Sequence, residues 1–210
     1  MSTLLRIDSS PRSNSISREL TDVFVAEYAA NNPGTKVIIR DLVATPPPFV
    51  TEEWISNSFA PADQQDLKVL ALSNELTDEF LAADIIVIGM PMYNFGVPAN
   101  VKAWIDQIVR AGRTFGFGEN GIVGLAGGRK IVSLISRNGA FKEGEPAGPW
   151  NHQEVYLSHL AGLLGITETY AVAVQSRSQY DRLPEFKQEA FAEIKALVER
   201  LSGSAIAAVA

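Results

Sequence analysis

Apolar residues along this chain alternate between short uninterrupted runs and longer stretches at helical spacing. Thr3-Leu4-Leu5-Arg6-Ile7-Asp8 predicts a strand that runs into the polar cluster Ser9-Ser10-Pro11-Arg12-Ser13-Asn14-Ser15. Ile16, Leu20, Val23 and Phe24 then share one helical face, and Asn32-Pro33-Gly34 stops that helix before a second strand over 36–40. Residues 84–89 predict a third strand, whose unbroken Ile85-Ile86-Val87-Ile88 run implies burial on both faces. A helix follows, with Val101, Trp104, Ile105, Ile108 and Val109 on one side. Residues 130–136 and 168–174 supply the fourth and fifth strands, with helical segments near 151–164 and 183–202 after them. The tail from Ser202 to Ala210 reads as a fraying helix end.

Strands alternating with helices in this way predict an α/β fold, a doubly wound five-stranded parallel sheet with helices on both faces, forming one domain over residues 1–210. Ligands of such sheets bind outside the carboxyl ends of the strands. The loops at 9–17, 90–97 and 136–144 should therefore converge. Two stretches exceed the minimal pattern, the Pro-rich segment 44–61 and the Gly-rich segment 112–128, and long loops in small domains are often functional.

Composition narrows the chemistry. The chain has no cysteine, which excludes disulfides, thiolate metal sites, iron–sulfur clusters and thiol catalysis, so any redox reaction needs a bound cofactor. A net charge of −6 with scattered Lys and Arg offers no footprint for nucleic acid, leaving a small molecule as the expected ligand. No apolar stretch is long enough for a membrane span and no signal-peptide core opens the chain, so a cytoplasmic location is expected.

The first loop sets Ser9, Ser10, Arg12, Ser13, Asn14, Ser15 and Ser17 between a strand and a helix N-terminus, where free N–H groups and the helix dipole favour a phosphate. The same residues also suit a plain helix cap, with Asn14 or Ser15 capping and the other serines in a solvated turn. The loop lacks the Lys and glycine pair of a P-loop, and a phosphatase loop here would need a cysteine. After strand three, Pro91-Met92-Tyr93-Asn94-Phe95 offers aromatic and thioether surface for a flat ring, or equally core filler bounded by Pro91 and Pro98.

In Gly89–Ala99 the chain resembles the FMN-dependent NADH:quinone oxidoreductases, the azoreductase family of the flavodoxin-like superfamily. The resemblance continues in Ser136-Arg137-Asn138-Gly139, similar to the family's Ser/Thr-Arg-Gly-Gly turn, in Ala111–Phe115 and in Glu119-Asn120-Gly121. It implies a flavodoxin-like strand order of 2-1-3-4-5 and non-covalent FMN. The phosphate would lie at Ser10, Arg12, Ser15, Ile16 and Ser17, the ring against Pro91–Phe95, and the pyrimidine end in the turn Ser136, Arg137, Asn138 and Gly139. Asn138 stands where the family has the first glycine, a change that a left-handed backbone would tolerate. Some members carry a histidine where this chain has Phe141, so water is expected to deliver protons to the product.

The resemblance further implies a ping-pong cycle, in which NADH or NADPH reduces the flavin by hydride transfer and a quinone or aromatic azo compound then takes the electron pair. The flavin carries the chemistry, so no catalytic side chain is expected. A homodimer would complete the open ring face, with Phe117, Phe141, Trp54 and Phe59 as candidate aromatic walls. A flavodoxin-like single-electron carrier is the rival reading, disfavoured by length and charge, and a flavin-free interaction domain is a third. Gly116–Gly121 formally fits G-x-G-x-x-G, but it follows a helix and precedes a Gly-rich stretch, so it is rejected as a dinucleotide fingerprint. His152 and His159 lack a third ligand, so surface or core roles are expected for them, and Asp8 is assigned no catalytic role.

Overall fold

The computed structural model describes residues 2–60 and 62–207. In chain order it contains β1 (Thr3–Asp8), α1 (Ile16–Asn31), β2 (Lys36–Asp41), α2 (Glu52–Phe59), α3 (Ala71–Ala82), β3 (Ile85–Pro91) and α4 (Ala99–Ile108). The second half holds β4 (Phe115–Gly118), β5 (Gly121–Gly124), β6 (Lys130–Arg137), α5 (His152–Leu163), β7 (Glu168–Gln175) and α6 (Leu183–Ala207). The main sheet is parallel in the order β2-β1-β3-β6-β7. This is the predicted 2-1-3-4-5 order, with a hairpin inserted before the fourth strand of the sheet.

Alternation along the strands divides the core into two layers. Ile85 and Val87 join Leu20, Phe24, Ile194 and Val198 of α1 and α6 on one face of the sheet. Ile86 and Ile88 join Leu76, Phe80, Trp104 and Leu157 of α3, α4 and α5 on the other. Every residue from Ile85 to Met90 is buried, as the unbroken apolar run required.

Two segments correct the sequence reading. The Gly-rich stretch is not an irregular loop, because β4 and β5 pair antiparallel within it and bring Phe117 opposite Ile122. The Pro-rich segment contains α2, capped by Thr51, whose side chain accepts from the Trp54 N–H at 3.1 Å. At the C-terminus the helix continues through Ser202 to Ala207, and residues 208–210 of the expected fraying tail lie outside the described residues.

Candidate active site

The three predicted loops meet. Above the carboxyl ends of the strands lies a cavity of about 300 Å³ lined by Ser10, Arg12, Asn14, Ser15 and Ile16, by Pro91, Met92 and Tyr93, and by Ser136, Arg137 and Asn138. A fourth group, Val174, Ser176, Tyr180 and Leu183, closes the wall from the end of β7 and the start of α6. That group was absent from the sequence reading, although Ser176-Arg177-Ser178 follows a parallel strand and so carried the same signal as the other loops.

At the first loop, capping and anion binding coincide. Ser15 is the N-cap of α1, its Oγ accepting from the Arg18 N–H at 3.3 Å. The N–H groups of Ile16 and Ser17 have no partner among the described residues and form the positive end of the helix dipole. Arg12 is exposed and makes no ion pair among the described residues, so its charge is free for a ligand. Ser17 departs from expectation. Its side chain is fully buried, with its Oγ 3.1 Å from that of Ser15, and it does not line the cavity, leaving its backbone N–H as the group on offer.

Pro91–Phe95 forms a tight reversal. Tyr93 and Gly96 exchange both backbone bonds, at 3.3 and 3.0 Å, which forces Asn94 and Phe95 into the left-handed region with φ of 46° and 70°. Asn is suited to such angles and Phe is not, so the turn holds strain of order 1 kcal/mol at Phe95. Two aromatic contacts offset it. Phe95 lies 6.1 Å from the Phe141 ring and 5.6 Å from that of Trp150, centroid to centroid. Gln153, fully buried at the start of α5, donates to the Pro91 carbonyl at 3.0 Å, and the Met92 N–H donates to the Ser136 carbonyl at 2.9 Å. The Met92 bond ties the second loop to the third, and the Gln153 bond ties it to α5. Asn94 and Phe95 do not line the cavity.

The third loop corrects two expectations. Asn138 has no left-handed backbone angle. It is instead a junction, its Oδ1 accepting from Ser176 Oγ at 2.8 Å and the Ser178 N–H at 2.6 Å, while its Nδ2 donates to Tyr180 Oη at 3.0 Å. Its side chain thus holds the fourth wall in place. The Arg137 guanidinium is not free either, being almost fully buried, ion-paired with Glu154 and donating from Nε to Gln175 at 2.9 Å. Gly139 does not line the cavity, and a Cβ there would strike the Phe141 ring. Replacing Asn138 with Ala is expected to destabilise the fold by about 1–2 kcal/mol, since the lost bonds are partly exposed, as chemical denaturation would measure. An unchanged stability would show that the junction holds nothing.

None of the four candidate aromatic walls lines the cavity within this chain. Phe141 is 7% exposed and lies under the Arg137 guanidinium, at 5.5 Å. Trp54 is half-buried beneath Arg110, at 5.6 Å, whereas Phe59 and Phe117 stand 66% and 74% exposed on α2 and the hairpin. His152 and His159 are both exposed on α5, and Asp8 is buried, bonded to Arg6 and Thr21.

The model of the flavodoxin-like fold family matches residues 2–198. Over 196 residues the chain is 42% identical to an FMN-dependent NADH:quinone oxidoreductase of Acidobacterium capsulatum, covering 92% of this chain and 95% of that one. The chain belongs to this flavodoxin-like oxidoreductase family. A second member, from Nostoc punctiforme and of the same name, is 41% identical over 199 residues, covering 93% and 97% of the two chains. Among solved structures, an azoreductase from Bacillus anthracis superposes with a TM-score of 0.87 at 28% identity, covering 95% of this chain and all of that one. Family membership and the strand order therefore agree with the family resemblance and the 2-1-3-4-5 order expected from the sequence.

Proposed function

We propose that this protein is an FMN-dependent oxidoreductase that uses NADH or NADPH to reduce quinones and aromatic azo compounds in two successive half-reactions. The observation that carries this reading is the convergence of a phosphate-type helix terminus with an apolar, aromatic loop in one cavity of about 300 Å³, within the size range of small-molecule sites. Bound FMN would supply the two-electron chemistry, so the chain needs no acid–base pair of its own.

The residues fit that cofactor. The Ile16 and Ser17 N–H groups, the Ser10 and Ser15 hydroxyls and Arg12 would hold the 5′-phosphate. Pro91, Met92 and Tyr93 would support the ring, with Asn94 and Phe95 at its edge. The turn from Ser136 to Gly139 would meet the pyrimidine end through its backbone, because the side chains of Arg137 and Asn138 are engaged within the protein. Phe141 offers no proton at its position, so water would supply the protons that the product takes up.

The chain is further proposed to act as one flavodoxin-like domain, in the cytoplasm and as a homodimer. Among the described residues no helix is long and apolar enough to cross a membrane. Support for a dimer comes from large apolar side chains left in solvent, with Phe117, Ile122 and Val123 on the hairpin and Phe49, Ile55 and Phe59 on the Pro-rich segment. A second copy covering them would bring Phe117 or Phe59 to an open cofactor face.

Mixing the protein with FMN, NADH or NADPH, and a simple quinone in oxygen-free buffer is expected to give sustained loss of the nicotinamide absorbance. FMN uptake with no turnover from either donor would point to a single-electron carrier instead. Failure to take up FMN would sink both readings.

A further inference from the structure

Arg18 ties the cavity's anion end to the carboxyl ends of β1 and β2 without lining the cavity itself. From the first turn of α1 its Nε donates to the Ser10 carbonyl at 3.0 Å. Its two terminal nitrogens hold both carboxylate oxygens of Asp41, at the carboxyl end of β2, at 2.8 and 2.9 Å. One of them also lies 3.6 Å from Asp8 at the end of β1. Two carboxylates therefore neutralise this guanidinium, and it has little charge left for a ligand. Its backbone N–H is used as well, on Ser15 Oγ.

The Ser10 carbonyl belongs to the peptide link to Pro11. Proline has no N–H, so this peptide unit can present only an oxygen to its surroundings. An oxygen dipole turned toward a bound phosphate would repel it, among groups that otherwise donate. Arg18 occupies that oxygen while standing outside the cavity lining, in a neighbouring cleft that it shares with Arg6, Asp22 and Lys187 and that meets the cavity along Asn14, Ser15 and Ile16.

We propose that Arg18 is a positioning residue of the anion site. By holding the Ser10 carbonyl out of the cavity it leaves a lining of donors and hydroxyls, and so sets the preference for a flavin bearing a phosphate over the same flavin without one. The proposal rests on the flavin reading of the site. The brace is built to last, since the hydrogen bond from Arg18, aided by the N–H groups of Val43 and Ala44, lowers the Asp41 carboxyl to about 2. A carboxylate so lowered contributes stability above its ordinary value of 3.8 and loses it only as pH falls through about 2. Arg18 thus stays clamped at any pH near neutrality.

The test compares FMN with riboflavin, which lacks the phosphate, by fluorescence quenching on the wild type, Arg18→Gln and Asp41→Asn. In Arg18→Gln, FMN affinity is expected to fall roughly tenfold while riboflavin affinity stays within about twofold, so the FMN preference shrinks. Asp41→Asn, which leaves Arg18 present but unbraced, should shrink it by a smaller factor. Equal weakening of both flavins would assign Arg18 to general stability and overturn the proposal, as would an unchanged FMN affinity. Should Arg18→Gln fail to fold, Asp41→Asn decides alone, a reduced preference supporting the proposal and an unchanged one overturning it. A wild type that binds neither flavin overturns the functional reading itself, a result distinct from all of these.

Discussion

Ser15→Asp is expected to fold as well as the wild type and to bind FMN at least about 100-fold more weakly, a loss near 2.7 kcal/mol. The two halves of this expectation have separate causes. Ser15 caps α1 through its Oγ, and aspartate caps a helix as well as serine does, with its charge favoured by the positive end of the dipole. Stability should therefore hold or rise by a few tenths of a kcal/mol. The same carboxylate would stand in the cavity wall, where Ser15 is 9% exposed, and two like charges about 4 Å apart repel by about 4 kcal/mol at an effective dielectric near 20.

Ser15→Ala gives the reciprocal result. It removes the cap, costing about 1 kcal/mol of stability, and adds no charge, so FMN should weaken only a few-fold. Denaturant melts paired with FMN titrations would read both variants. If Ser15→Asp retained full FMN affinity, Ser15 would be a cap alone and the phosphate would have to bind elsewhere.

That ambiguity between cap and anion site marks the limit of the sequence at this loop. A Ser-rich turn before a helix satisfies both demands with the same atoms, and only the meeting of this loop with Pro91–Tyr93 and Ser136–Asn138 separates them. The strands were legible from short apolar runs, that of β3 unbroken because the strand is buried on both faces. The hairpin was not. Its strands have four residues each and carry glycine at alternate positions or at both ends, so they show little apolar pattern, and large apolar residues on it remain in solvent. The helix α2 was hidden similarly, as eight residues after Pro46-Pro47-Pro48 read as loop.

Side-chain pairs between distant segments were the least legible. Arg137 was expected only as part of the turn at the pyrimidine end, and its capture by Glu154 and Gln175 depends on α5 and β7 coming beside β6. Asn138 looked like a substitute for glycine, chosen for its backbone tolerance. Among the described residues other than glycine, the left-handed ones are instead Asn94 and Phe95 in one turn, and Arg177 and Ser178 in another. The second of these turns is the one that the Asn138 side chain holds. An asparagine carries both a tolerant backbone and a versatile amide, and the chain uses the amide here.

Gly89→Ala should reach the site from within the core. The glycine sits on β3 beneath the first turn of α1, where an added Cβ would lie 2.5 Å from Thr21 Cγ2, 3.0 Å from the Ser17 carbonyl oxygen and 3.2 Å from Asp8 Oδ1. Thr21 cannot rotate away cheaply, because it is fully buried and its one hydroxyl proton is shared between two acceptors, Asp8 at 2.9 Å and the Arg18 carbonyl at 2.8 Å. The strain must then move α1, and with it the Ile16 and Ser17 amides. A loss of about 2–3 kcal/mol in stability is expected, within the range for overpacked cores, together with weakened FMN binding. Thr21→Ser isolates the cause, since serine keeps the hydroxyl and removes the methyl that Cβ would strike. In the double variant Gly89→Ala/Thr21→Ser, at least about 1 kcal/mol of the loss should return, as a positive coupling in a double-mutant cycle. Strict additivity of the two changes would place the strain at the Ser17 carbonyl instead, making the backbone of α1, rather than a side chain, the reason that β3 carries glycine at this point.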